Sequence, residues 1–483
     1  MPEKTSSESY GYNSLRAGAI LSVIMTGLLL VFSVVFYKER MLFLDGPHNL
    51  FLIINDGHFH IEEHRYGSFI TQVLPVLGYR LHLPLQWVMM LYSASFNLFF
   101  LAVVLLLVFR FREYNLAILF GLYLTLFASA TFYWPNNEVH QGTAWLLLVY
   151  AINFFVARKQ ITSIIAVPLF LVSFYLAIFT HPLIVSEALF LWFFFLIGKI
   201  NWPFTRQQTV IYTLVLFGLV IYKLYVGMHS GYDSTKMEQV TGFRVSLLRD
   251  IINSRQLQFF LHSCLTNYWL FSVLFISGLI ALVIRRKYLL ALITLLSAAG
   301  YLLLVCITFR DEHSNVFYIE SEYMPMTVIC CASFVYFILP TIRKKTGIML
   351  LFILFIVRTS YILHAAPTFI NRVEVLERIN EQMKVKNIAK AIITNLPRNF
   401  DSMLLMNWGA PVESIFLSKT KGENPQRTFI FLNPDEIRSF NTSSKDTLLG
   451  CWEKRPFGRL NPFYFQLDTT SSYMVISYPA LME

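Results

Sequence analysis

The densest run of titratable side chains spans residues 43–67, FLDGPHNLFLIINDGHFHIEEHRYG, with two aspartates, two glutamates, four histidines and one arginine. Asp45 is followed by Gly46 and Pro47, a turn pair that would fix its carboxylate where it can act as general base toward a hydroxyl. An Asx turn at the exit of the preceding segment accounts for the same three residues. Asp56 is a second candidate base within the run. In DGHFHIEEH, His58 and His60 alternate to one face of an extended chain, with Glu62 and His64 beyond. Zinc, manganese or magnesium would accept such ligands, but no fixed metal motif is matched, and solvated loops also carry histidines.

Other candidates lie farther along. WPNNEVHQG at 134–142 brings Glu138 and His140, as a second acidic group or as caps of two helices. THP at 180–182 brings His181, and Glu187 follows a few residues into an apolar run. Ionisable groups inside apolar runs are functional-site hypotheses by default, and Arg358 is another. Arg358 would either pair with Glu187 or hold a phosphate, and Arg65 is a further candidate cation for a phosphate.

The elements that must position these residues are hydrophobic. The chain of 483 residues is 56% hydrophobic and only 14% charged, with mean hydropathy +0.55, which points to a polytopic membrane protein. Apolar runs predict eleven spans at 17–37, 86–109, 115–134, 144–157, 162–180, 183–198, 209–226, 261–284, 288–308, 324–341 and 347–365. The polar start precedes no small-residue cleavage site, so residues 1–16 read as a cytoplasmic N-terminus before an uncleaved first helix.

Lysine and arginine set the orientation. Arg110/Arg112, Arg158/Lys159, Lys199/Arg206, Arg285/Arg286/Lys287 and Arg343/Lys344/Lys345 mark the inner connections. The net charge of +10 is largely this topological signal, not a nucleic-acid footprint. All eleven histidines then fall on or toward the outer side, as do Asp233, Asp311, Glu312, Glu320 and Glu322, while Glu113 is the lone inner acid of the membrane part. Two outer loops are long, 38–85 and 227–260, and both carry amphipathic stretches suited to the membrane interface, the first bent at Pro75. Cys264, Cys306, Cys330 and Cys331 fall in spans as small hydrophobes; Cys451 has no intramolecular partner.

Residues 366–483 form a polar tail predicted to be a small α/β or α+β domain on the outer face. It opens with a helical pattern, INRVEVLERINEQMKVKNIAKAI, and continues with strand-like SIFLS, TFIFLN, FYFQL and YMVISY. NTS at 441–443 fits a glycosylation acceptor pattern.

This layout resembles the GT-C superfamily of membrane glycosyltransferases, which includes oligosaccharyltransferases, protein O-mannosyltransferases and aminoarabinose transferases. The resemblance spans the whole architecture but rests at residue level on Asp45 by position, Glu138 as the second-loop acid, and NWGAPVESIFLS at 407–418. The sequence departs from the pattern in having Gly46 where many relatives follow the aspartate with glutamate, and in lacking Asp-X-Asp in the second loop.

The resemblance implies transfer of a sugar from a polyprenyl-phosphate or polyprenyl-diphosphate donor to a glycan, lipid or protein hydroxyl. The reaction would run at the outer face of a bacterial inner membrane, with a periplasmic C-terminal domain. Two other classes fit the composition: a transporter or lipid flippase, and a non-catalytic member of an envelope assembly. A transporter would be marked by symmetric halves and broken helices, neither evident in the sequence.

Overall fold

The computed structural model describes residues 6–136, 138–159, 163–200, 202–309, 315–398, 400–440, 442–450 and 454–483. Asp311, Glu312, His313, Asn441 of the glycosylation pattern and Cys451 lie outside the described residues. The chain is a helical protein whose apolar helices build one bundle, with a small sheet-bearing domain after them.

Among the described residues, six helices are long and apolar enough to cross a membrane: Ser14–Val35, Leu85–Phe111, Glu138–Arg158, Arg206–His229, Tyr288–Thr308 and Lys344–Val385. The number reaches eight if two bent pairs each count as one span: Gln256–Leu265 with Trp269–Ile284, bent by 81°, and Val316–Tyr323 with Pro325–Thr341, bent by 47°. The expectation of eleven full spans is thus corrected. The runs at 115–134, 162–180 and 183–198 yield only the shorter apolar helices Tyr114–Leu126, Ile164–Ile178 and Ile184–Gly198.

The first shortfall has a visible cause. Tyr114–Leu126 stops because the chain beyond it is held in irregular conformation by two distant side chains. Arg358 donates from Nε to the Thr125 carbonyl (3.1 Å) and from Nη2 to that of Ala128 (3.3 Å). Glu320 accepts from the backbone N–H of Ser129 (3.0 Å) and Thr131 (2.7 Å). Non-helical backbone at this depth persists only when protein groups satisfy it, and here one cation and one carboxylate do so.

The outward faces of the long helices are apolar: Leu214 and Ile221 are 68% and 66% exposed, and Leu292 and Leu296 are also open. Such faces suit lipid, and polar side chains turn inward instead. The helix Glu138–Arg158 spans about 31 Å from its acidic start to its basic end. At that basic end Arg158 pairs with Glu113 at 2.6 Å, and Arg110 stacks on Phe155.

The last apolar run does not end at residue 365. One helix, Lys344–Val385, continues through it and absorbs most of the predicted tail helix, with Pro367 inside. Strand β1 (Lys390–Thr394) follows; it pairs in parallel with β2 (Thr428–Phe431) on one side. A separate antiparallel pair is formed by β3 (Thr447–Leu449) and β4 (Lys454–Pro456). Strand β5 (Met474–Ser477) closes the main sheet in the order β2-β1-β5. All five residues of β1 are buried, as a central parallel strand requires.

TFIFLN and YMVISY therefore hold β2 and β5. SIFLS does not form a strand: it lies in the helix Ala410–Thr420, where Ser414 and Ser418 bond within the domain and the segment is buried on all sides, so no alternation marks it. FYFQL forms only one isolated bridge, Gln426 with Leu467.

This domain packs on the first loop. The Asn461 N–H donates to Asn55 Oδ1 (2.7 Å), the Tyr464 hydroxyl to the Leu83 carbonyl (2.8 Å), and Phe465 packs on Phe51. Within that loop the helix Phe69–Arg80 contains Pro75 and keeps Val73 and Leu77 exposed, as an interfacial helix would.

Candidate functional site

Asp45 opens the helix Asp45–Asp56 rather than lying in a turn. Pro47 is tolerated there because a first-turn residue has no intrahelical N–H bond to lose. Gly46 is required by a close approach, since a Cβ would meet the Arg40 carbonyl oxygen at 2.7 Å. The residue before the helix, Leu44, has φ +53°, a left-handed conformation that costs a bulky residue about 1–3 kcal/mol. Its N–H is held by the Glu413 carboxylate at 2.9 Å.

The Asp45 carboxylate accepts a hydrogen bond from the Trp134 indole Nε1–H at 2.6 Å. Burial pushes its pKa up to about 7; Glu138 and Glu62 add to the rise, and the Trp134 bond opposes it. A carboxyl poised near neutrality can hold a proton and release it, which suits a general base.

Arg65 ties the loop to the bundle. Its Nη1 donates to Glu138 Oε2 (3.0 Å) and its Nη2 to Asp233 Oδ1 (2.8 Å). Burial works against its charge, yet Glu138 and Asp233 more than offset this and hold the guanidinium above its usual range. Lys223, 1% exposed, sits 3.6 Å from the other oxygen of Asp233. His181 lies within electrostatic reach of Arg65 and Lys223; burial first, then these cations, keep its imidazole neutral. Its Nδ1 accepts from the Leu183 N–H at 3.2 Å, which leaves the proton on Nε2.

A cleft of about 460 Å³ opens beside this group, lined by Ile61, Glu63, His64, Tyr66, His229, Ser230 and Gly231. Glu63 and His64 form its wall with φ of +46° and +57°, two successive strained residues. Glu63 Oε1 accepts from the Tyr232 N–H at 2.8 Å. Four buried atoms in this neighbourhood lack a hydrogen-bond partner among the described residues: Glu63 Oε2, Arg65 Nε, Lys223 Nζ and Asp233 Oδ2. Groups of both signs, each with spare hydrogen-bonding capacity, suit a ligand rich in hydroxyls.

The structure thus brings together Asp45, Glu138, Arg65 and His181 and sets the other candidates elsewhere. Asp56, at the far end of the Asp45 helix, faces Arg455 at 3.6 Å. Glu187 accepts from Thr143 (2.8 Å) inside the bundle. Arg358 is fully buried and pairs with backbone: besides Thr125 and Ala128, its Nη1 donates to the Asn267 carbonyl at 2.7 Å.

The three histidines do not converge. His58 bonds the Phe59 carbonyl, His60 bonds Glu62 at 2.7 Å, and His64 bonds the Tyr66 hydroxyl. Among the described residues no group of three or more His, Cys, Asp or Glu side chains is gathered as a metal site would need.

Sequence reasoning missed Lys223, Trp134 and the site role of Asp233. Lys223 had a readable signal, a lone cation in the apolar run VIYKLYVG. Trp134 and Asp233 had none, since they reach the group only through the fold.

Chemically, the arrangement offers a carboxyl near neutrality, a second acid braced by arginine, and a polar cleft at one end of an apolar bundle. The chain matches no family model, and no curated protein or solved structure matches it.

Proposed function

We propose that this protein is a membrane glycosyltransferase that moves a sugar from a polyprenyl-phosphate or polyprenyl-diphosphate donor to an acceptor hydroxyl. The observation that carries the reading is Asp45, with its carboxyl raised to about 7 and aligned by Trp134 at the loop end of the bundle. The acceptor oxygen attacks the anomeric carbon, its proton passes to Asp45, and the bond from that carbon to the phosphate oxygen breaks. Polyprenyl phosphate or diphosphate leaves, and the anomeric centre inverts.

Glu138 and Arg65 form a braced pair beside the base, and the cleft with Glu63, His64, Tyr66 and His229 supplies hydrogen-bonding groups for hydroxyls. The apolar helix faces accommodate the lipid tail. His181 serves as a neutral donor through Nε2. No step in this scheme calls for a metal.

Purified protein in liposomes, offered a panel of polyprenyl-phosphate monosaccharides and simple glycoside acceptors, tests the reading. Release of polyprenyl phosphate, followed by mass spectrometry, is expected from the wild type. Asp45→Asn should cut it about 10²–10⁴-fold while the protein stays folded. Full release by that variant, or none by the wild type with any sugar of the panel, would sink the proposal.

A transporter remains the second reading, favoured by the helix pairs bent by 81° and 47°. Against it, the carboxylate beside these breaks is occupied: Glu320 accepts from Ser129, Thr131 and Tyr268.

A further inference from the structure

The turn that delivers Asp45 is clamped from the opposite end of the chain. Arg372, on the long helix, and Glu413, in the C-terminal domain, are 1% and 0% exposed and form an ion pair. Arg372 Nη2 reaches both Glu413 oxygens, at 3.0 and 2.8 Å. The same guanidinium donates from Nε to the Leu404 carbonyl (2.8 Å), from Nη2 to that of Met406 (3.2 Å), and from Nη1 to the Leu42 carbonyl. Its plane lies over Phe43, 4.9 Å from the ring centre. Glu413 Oε1 completes the knot by accepting from the Leu44 N–H at 2.9 Å.

Residues 42, 43 and 44 are thus each gripped by this pair, and the next residue is Asp45. Leu44 is the strained one, so its left-handed conformation persists only because something fixes it from outside. Gly409 allows the approach: a Cβ there would stand 2.5 Å from Glu413 Oε1 and 3.1 Å from the Leu44 Cα. Trp408 packs edge-on to His48, one turn into the Asp45 helix.

We infer that Arg372 and Glu413 are positioning residues that hold Asp45 at its working place, so that the C-terminal domain completes the site. The inference rests on Asp45 being the working carboxyl, and its test is independent of sugar transfer.

A hydrophobic carbodiimide modifies protonated carboxyls in apolar surroundings, and peptide mass spectrometry reads the modification of Asp45 directly. In the wild type, labelling should fall by half near pH 7, while half-buried Asp468, held low by hydrogen bonds from Ser471 and Thr470, serves as the unlabelled control. The double variant Arg372→Met/Glu413→Leu removes both charges together, which avoids a stranded buried ion, and takes the acceptor away from Leu44. Its Asp45 should move toward solvent, and labelling at pH 6 should drop about tenfold as the carboxyl loses the burial that raises it.

Gly409→Ala keeps both charges but pushes against Glu413 Oε1 and the Leu44 Cα together, and it should lower labelling in the same direction. Glu413→Gln keeps an acceptor for Leu44 and should stay within about twofold of wild type. A monodisperse double variant, or a monodisperse Gly409→Ala, with the wild-type pH profile would overturn the inference. Wild-type protein that labels as expected and transfers no sugar would count against the sugar-transfer scheme alone.

Discussion

Arg65 and Arg358 each lie beside carboxylates in an otherwise apolar bundle, yet they end in opposite conditions. Arg358 is saturated: three backbone carbonyls accept from it, and nearby Glu320 is filled by the backbone N–H groups of Ser129 and Thr131 and the Tyr268 hydroxyl. Arg65 is held by Glu138 and Asp233, but its Nε has no hydrogen-bond partner among the described residues, and neither do Glu63 Oε2, Lys223 Nζ and Asp233 Oδ2 close by. A buried charge is therefore a functional clue only after its hydrogen bonds have been counted. The saturated group repairs a broken helix, and the unsaturated one borders a cleft.

The sharpest way to break this contrast is to remove each arginine. Arg358→Ala should cost about 3–5 kcal/mol, because it leaves the carbonyls of Thr125, Ala128 and Asn267 without their donor. Loss of monodisperse protein or a large fall in thermal midpoint is the expected readout; a stable, monodisperse variant would erase the distinction.

At the other centre the effect should fall on turnover and not on folding. Transfer should rise with pH through about 7, as Asp45 loses its proton and becomes a competent base. Stability should move oppositely. The folded carboxyl holds its proton up to about 7 whereas the unfolded one releases it near 4, so the fold weakens as pH rises across that window. Asp45→Asn should accordingly melt higher than wild type at pH 8, with the gap closing toward pH 4. An equal gap at both pH values contradicts a raised Asp45.

Arg65→Lys keeps the charge but cannot span Glu138 and Asp233 together, so donor KM should rise several-fold at nearly unchanged thermal midpoint. A drop in midpoint as large as that of Arg358→Ala would make Arg65 structural too. The smallest expected effect is a coupling energy. Glu187 bonds Thr143 and Arg358 bonds carbonyls, so Glu187→Gln should neither rescue nor worsen Arg358→Ala beyond about 0.5 kcal/mol in a double-mutant cycle.

The same contrast explains what could be read in the sequence. Apolar runs and the placement of basic residues revealed the membrane class, and the crowding of residues 43–67 pointed to Asp45 and Arg65. Glu138 and His181 joined them because both begin or border apolar helices at the same end. The span count failed at 115–134 because hydropathy registers side chains, whereas the helix there is ended by Arg358 and Glu320, each about two hundred residues away. Arg372 and Glu413 were invisible for a related reason. Each looks like an ordinary tail charge, and only the fold seals them against Leu44. SIFLS read as a strand because a short segment buried on every side lacks the 3.6-residue period that would have marked it helical.

The unbroken helix Lys344–Val385 has a mechanical consequence. Arg372 rides on it about 42 Å from its basic start, so a tilt of about ten degrees would swing that residue sideways by about 7 Å. Packing against neighbouring helices sets how far such a rod leans, and a mismatch with bilayer thickness biases it at modest cost. A change in its lean would therefore travel through Arg372 and Glu413 to Leu42 and Leu44, at the threshold of the Asp45 helix.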